Sequence, residues 1–184
     1  ILGKASGVFP GLGDAVAEAV AALTDVSIIS KDRFVDAEGR ALAFSSIVKS
    51  KNSAVKGAAA ETLRNISVAK RAVAAFTLHL ESAAEAAAEA LVDIFQEASP
   101  NFFSLDDAVE TALRRLLRAG KKEGASVKGR ESVNRALGEI LRKVSGDSSQ
   151  VKKAIGFLKH NAVNSRKENV RVSAVSALHR AGRE

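Results

Sequence analysis

Residues 82–95 read SAAEAAAEALVDIF, and this stretch decides the fold class. Alanine, the best helix former, fills most of two turns. Ser82 with Glu85 three residues on has the spelling of a capping box, in which hydroxyl and carboxylate each accept from an orphan amide. Acids recur every fourth residue at Glu81, Glu85, Glu89, Asp93 and Glu97, so they drift slowly around one side of a helical cylinder. From Glu81 to Glu110 there are eight acids and no Lys or Arg. The strongest basic run comes later.

Outward from this stretch the period stays helical. Asp14 is placed to cap a first helix running to about Leu23, and Ser30 or Asp36 a second ending near Lys49, with Gly39 weakening it. Val26–Ile29 has strand propensity but is isolated, and reads as a connector. Ser53, Ser67 and Ser82 each open an Ala-rich segment, and Pro100 ends the run before an Asn101–Phe103 connector. Ser104 with Asp107 then starts the cleanest amphipathic pattern in the chain. Leu105, Val109, Ala112, Leu113, Leu116 and Leu117 form one stripe, and Gly120 is the expected left-handed terminator.

Residues 121–129, KKEGASVKG, read as a linker. Three more helices follow. Val133, Leu137, Ile140, Leu141 and Val144 mark the first, stopped at Gly146. Val151, Ala154, Ile155 and Leu158 mark the second, capped by Asp147 or Ser148. Val170, Ala174, Ala177, Leu178 and Ala181 mark the last, stopped at Gly182. The fold class is all-α: eight or nine short amphipathic helices in a compact multi-helix bundle or a short α-solenoid. The expected organisation is a glycine-punctuated lead-in over 1–13, an acidic Ala-rich half over 14–119, and a basic half over 130–184 packed with it.

Composition limits the chemistry. The chain has 184 residues and no cysteine, which excludes disulfides and thiolate metal sites. Its eight aromatic residues are all Phe, so the core must be largely Ala, Val, Leu and Ile. No apolar run approaches the ~20 residues of a spanning helix, and residues 1–20 lack the basic n-region of a signal peptide. The absence of Met, also at position 1, is what a processed chain or excised fragment would show.

One pattern, Val-x-x-x-Ala-Ala/Val-x-x-Leu/Phe, recurs from Val55, Val68 and Val170. It resembles the second helix of HEAT-type or armadillo-type repeats, with residues 169–178, NVRVSAVSAL, the nearest match. The resemblance implies helix pairs stacked into a solenoid that binds protein, or sometimes nucleic acid, along one face. It covers about thirty residues at irregular spacing, and carries no functional residue over.

Charge is divided along the chain. Residues 1–112 carry 10 Lys/Arg against 15 Asp/Glu; residues 113–184 carry 18 against 6. The candidate acidic interaction face is Glu81, Glu85, Glu89, Asp93 and Glu97, read either as solvated or as docking onto the basic half of this chain or a neighbour. The candidate polyanion-binding set is Arg114, Arg115, Arg118, Lys121, Lys122, Arg142, Lys143, Lys152, Lys153, Arg166, Lys167 and Arg171. No zinc pattern, RNA-recognition signature or Tyr/Trp stacking platform accompanies it.

His79, His160 and His179 have no ligand spacing and no neighbouring nucleophile, so no catalytic residue, metal or cofactor is expected. Gly11-Leu12-Gly13 reads as a turn, and Asn65-Ile66-Ser67 spells a glycosylation sequon, meaningful only in a secreted chain. The expected function is a non-enzymatic interaction or structural protein that binds a protein partner or self-associates through complementary helical faces. The first alternative is a basic module binding nucleic acid nonspecifically, the second a peripheral binder of anionic membrane. The compartment is not legible.

Overall fold

The computed structural model describes residues 11–25, 37–98, 107–144 and 147–182. Residues 1–10 of the 1–13 lead-in, the Val26–Ile29 connector, the Ser30, Asp36 and Ser104 caps, Leu105, the Pro100–Phe103 break and Gly146 lie outside the described residues; Leu12 and Gly13 of the lead-in are already helical.

Among the described residues there are nine helices and no strand. They are α1 (Leu12–Leu23), α2 (Ala37–Val48), α3 (Ser53–Arg64), α4 (Ile66–His79), α5 (Ala84–Glu97), α6 (Asp107–Lys121), α7 (Val127–Lys143), α8 (Ser149–Asn164) and α9 (Glu168–Arg180). The all-α expectation holds, and the stripes are buried apart from Ile155 and Ala181, which are half-buried. Val109, Ala112, Leu113, Leu116 and Leu117 are buried, as are Val133, Leu137, Ile140, Leu141, Val144, Val170, Ala174, Ala177 and Leu178.

Several helix ends differ from the sequence reading. The capping box at Ser82 does not form: α5 starts at Ala84 without a side-chain cap, and Ser82 Oγ donates back to the His79 carbonyl at 3.3 Å. The hydroxyl is taken by the turn that ends α4. Asparagines cap α3 and α4 instead of serines, Asn52 accepting from Ala54 N at 2.9 Å and Asn65 from Ser67 N at 3.0 Å. Gly11 precedes α1, leaving Asp14 in its first turn. Ser148 caps α8 as expected, and Gly182 is left-handed at φ 61°.

Gly120 does not terminate α6. It lies inside the helix and is buried, because a Cβ there would stand 2.6 Å from Phe157 Cζ of α8. The linker accordingly shrinks to residues 122–126, with Ser126 capping α7.

Helix packing arranges the chain in two layers. In one, α2, α5, α7 and α9 lie side by side, so α5 is flanked by α2 and α7, and α7 by α5 and α9. In the other, α4, α6 and α8 follow one another, and each pairs with the helix after it to form the hairpins α4–α5, α6–α7 and α8–α9. Helix α1 packs on α3 and α2 at the N-terminal end. The position of α5 explains its composition. Ala86, Ala87, Ala88 and Ala90 are all buried, since a helix with packed neighbours on three sides needs small side chains for close approach. Phe44 and Phe76, with centroids 4.8 Å apart, and Phe95 supply the bulk.

Candidate polyanion-binding face

The acids of α5 are placed by the helix period, and its packing sends them in different directions. Asp93 is 2% exposed and its carboxylate meets Nζ of Lys49, the residue after α2, at 2.9 Å. Burial pushes the Asp93 carboxyl above the ordinary range, opposed by that hydrogen bond. Glu89 pairs with Arg135 of α7 and lies 3.8 Å from the same Lys49. Glu81, before α5, lies 3.4 Å from Arg115 of α6. Glu85 is exposed with no ion-pair partner among the described residues, and Glu97 is half-buried within the field of Lys143. The five acids therefore form no single outward face. Two meet cations from residues 113–184, and Asp93 is held by Lys49 just after α2.

The interhelix polar contacts continue along this layer. Glu139 of α7 is buried; it accepts from Arg142 at 2.9 Å and from Arg180 of α9 at 3.1 Å. Asn134 is fully buried where α7, α8 and α9 meet. Its amide donates to the Val170 carbonyl at 3.1 Å and Ser173 Oγ at 2.9 Å, and its carbonyl accepts from Asn161 at 3.0 Å. Sequence reasoning missed Lys49, Asn134 and Glu139. The available signal was a polar residue within an apolar stripe, as Glu139 falls between Leu137 and Ile140.

The other layer is different. Helices α4, α6 and α8 carry nine Lys/Arg against two acids, Asp107 and Glu110, whereas α2, α5, α7 and α9 carry eight of each. Charge that looks split between halves of the sequence is thus sorted by layer in space. Arg71, Arg114, Arg118, Lys121, Lys153 and Lys159 are exposed and have no ion-pair partner among the described residues. Gly120 packs on Phe157, which sets the last turn of α6 against α8 between Lys153 and Lys159.

Other members of the expected basic set are engaged. Arg142 holds Glu139, Lys143 Nζ donates to the Ala98 carbonyl at 3.4 Å, Lys152 meets Asp147 at 3.1 Å, and Arg171 donates to the Ser165 carbonyl at 2.9 Å. Burial and Arg142 lower the Lys143 pKa. Arg166 and Lys167 are exposed at the α8–α9 turn.

A cleft of about 570 Å³ opens beside the last turns of α6, lined by Leu80, Glu81, Arg115, Arg118, Ala119, Lys121 and Lys122. Arg115 also borders a groove of about 300 Å³ between α4 and α6, lined by Ala74, Thr77, Leu78, Asp107, Ala108 and Thr111. The arrangement can take up anionic groups along α6 with short apolar stretches beside them. Among the described residues no group of His, Asp or Glu could hold a metal ion, and no helix is long and apolar enough to cross a membrane. No family model, curated protein or solved structure matches the chain.

Proposed function

We propose that the chain is a non-enzymatic helical-repeat scaffold whose α4–α6–α8 layer holds nucleic acid by its phosphates, without sequence readout. The observation that carries this reading is the segregation of charge by layer, with six exposed cations on the basic side that have no ion-pair partner among the described residues. Phosphate contacts of this kind supply affinity and register but no sequence information. The buried acids Asp93 and Glu139 bind helices to one another, a structural use that fits a scaffold.

The repeat character is supported by hairpin spacing. The first helices begin at Ile66, Asp107 and Ser149 and the second at Ala84, Val127 and Glu168, a repeat of 41–43 residues. HEAT and armadillo units run at ~40–47. The Val55, Val68 and Val170 pattern does not mark equivalent places, since it falls on α3, α4 and α9. It reports helices packing through small residues.

Titration of a labelled oligonucleotide against rising salt tests the reading. Affinity should fall with a log–log slope of about −0.7 per phosphate contact on a single strand. Absence of binding at ~50 mM salt, where screening is weakest, would sink it. Flotation with anionic liposomes in parallel tests the membrane alternative.

A second reading, a protein partner or a second copy, is favoured by exposed Val163, Val172 and Val175 on α8 and α9. Its measure is sedimentation of the free chain across concentration.

A further inference from the structure

One carboxylate lines the cationic cleft beside α6, where a bound strand would need none. The loop from α4 to α5 projects Glu81 into the cleft beside α6, where Oε1 lies 3.4 Å from Arg115 Nη1. The backbone carbonyl of the same residue accepts from Lys122 Nζ at 3.4 Å. The Glu81 side chain is 74% exposed and that of Arg115 29%. A pair so open to water is weak and exchanges readily. Arg118 and Lys121 line the same cleft without partners among the described residues, so one acid faces a surplus of cations.

We infer that Glu81 is a resident competitor in an anion subsite: its carboxylate stands where a phosphate of a single nucleic acid strand binds, and the strand displaces it from Arg115. This rests on the reading of α4–α6–α8 as a phosphate-binding layer. A single strand is the occupant because Arg115 is shared between two spaces of different character. On one side lies the cationic cleft, with Leu80 and Ala119 as its apolar part. On the other lies the groove walled by Ala74, Thr77, Leu78, Ala108 and Thr111, with Asp107 as its one acid. A phosphate on Arg115 puts its sugar and base against that groove, which requires a base free of its pairing partner.

The test uses the full chain and fluorescence anisotropy with a labelled single-stranded oligothymidylate at low salt. Glu81→Ala should tighten binding by up to about fivefold, the range open to an exposed pair. It should also steepen the salt slope by about 0.7, the value of one further single-strand phosphate contact. Glu61→Ala removes the same charge from exposed Glu61 on α3, which does not line the cleft, and controls for net charge. The pair Arg118→Ala and Lys121→Ala should weaken binding in the wild-type and Glu81→Ala backgrounds alike. Salt-dependent binding in which Glu81→Ala and Glu61→Ala behave the same overturns the subsite and leaves the phosphate-binding layer standing. No binding by any variant overturns both.

Discussion

At the scale of single residues, two buried ionisable groups give the molecule opposite responses to pH. His79 is buried beside Phe76 with no hydrogen-bond partner at Nε2 among the described residues, and burial, reinforced by Arg40, lowers its pKa. The unfolded chain therefore takes up the proton first. Stability from this site is complete above the ordinary value of about 6.5 and is lost as pH falls below it. Asp93 is the reverse. Its folded pKa is raised, so its contribution is complete below the ordinary value of about 3.9 and declines as pH rises through the folded value. Urea unfolding at a series of pH values should show the first loss vanish in His79→Leu and the second in Asp93→Asn.

Burial also separates the acids by substitution. Asp93→Lys places a cation at a 2% exposed site beside Lys49 and should cost about 3–5 kcal/mol. Glu85→Lys, at an exposed site, should stay within about 0.5 kcal/mol. Thermal melts of the two variants check this directly.

At the scale of elements, the glycines of α6 and α7 show how packing overrides local preference. Gly138 lets α7 approach α9 so closely that a Cβ would lie 2.8 Å from both Cα and Cβ of Ala177. Backbone cannot swing aside. Gly138→Ala should therefore destabilise by about 1–3 kcal/mol despite the better helix propensity of alanine. At Gly120 the obstacle is the end of the half-buried Phe157 ring, a side chain that can rotate away. Gly120→Ala should lie near neutral, since a propensity gain of about 1 kcal/mol offsets the adjustment. Asn134 acts across three elements, and Asn134→Ala should cost on the order of 2 kcal/mol, the combined worth of its bonds to α8 and α9. Denaturant midpoints at constant m-value measure all three.

At the scale of the whole molecule, the stacked hairpins let one layer balance its charges while the other accumulates cations. If a strand neutralises α4, α6 and α8 as proposed, it should bind the folded chain more tightly than the unfolded one and so raise its melting temperature. At a hundredfold excess over Kd the linkage is worth about 2.7 kcal/mol, which for a chain of this length is a rise of roughly 5–10 °C. The rise should disappear in high salt. A melting temperature that ignores the oligonucleotide at low salt would contradict the phosphate-binding layer.

The sequence by itself determined the helices and their buried stripes, because both follow from local periods: Val109 to Leu117 or Val133 to Val144 point one way whatever lies opposite. It likewise determined Gly182 as a left-handed stop, a backbone preference needing no partner. Helix ends were less legible. A serine such as Ser82 has several backbone groups within reach, and only the turn after α4 decides which one it bonds. Charge was least legible of all. The i, i+4 spacing places Glu85, Glu89 and Asp93 on one side of α5, but α2 and α7 decide that Asp93 is buried and Glu85 is not. The assembly of Arg115, Arg118, Lys121 and Lys122 around Glu81 belongs to the tertiary structure for the same reason. Those four cations are local to one helix end, while the carboxylate reaches them only because α4 and α6 pack side by side, 34 residues of chain separating Glu81 from Arg115.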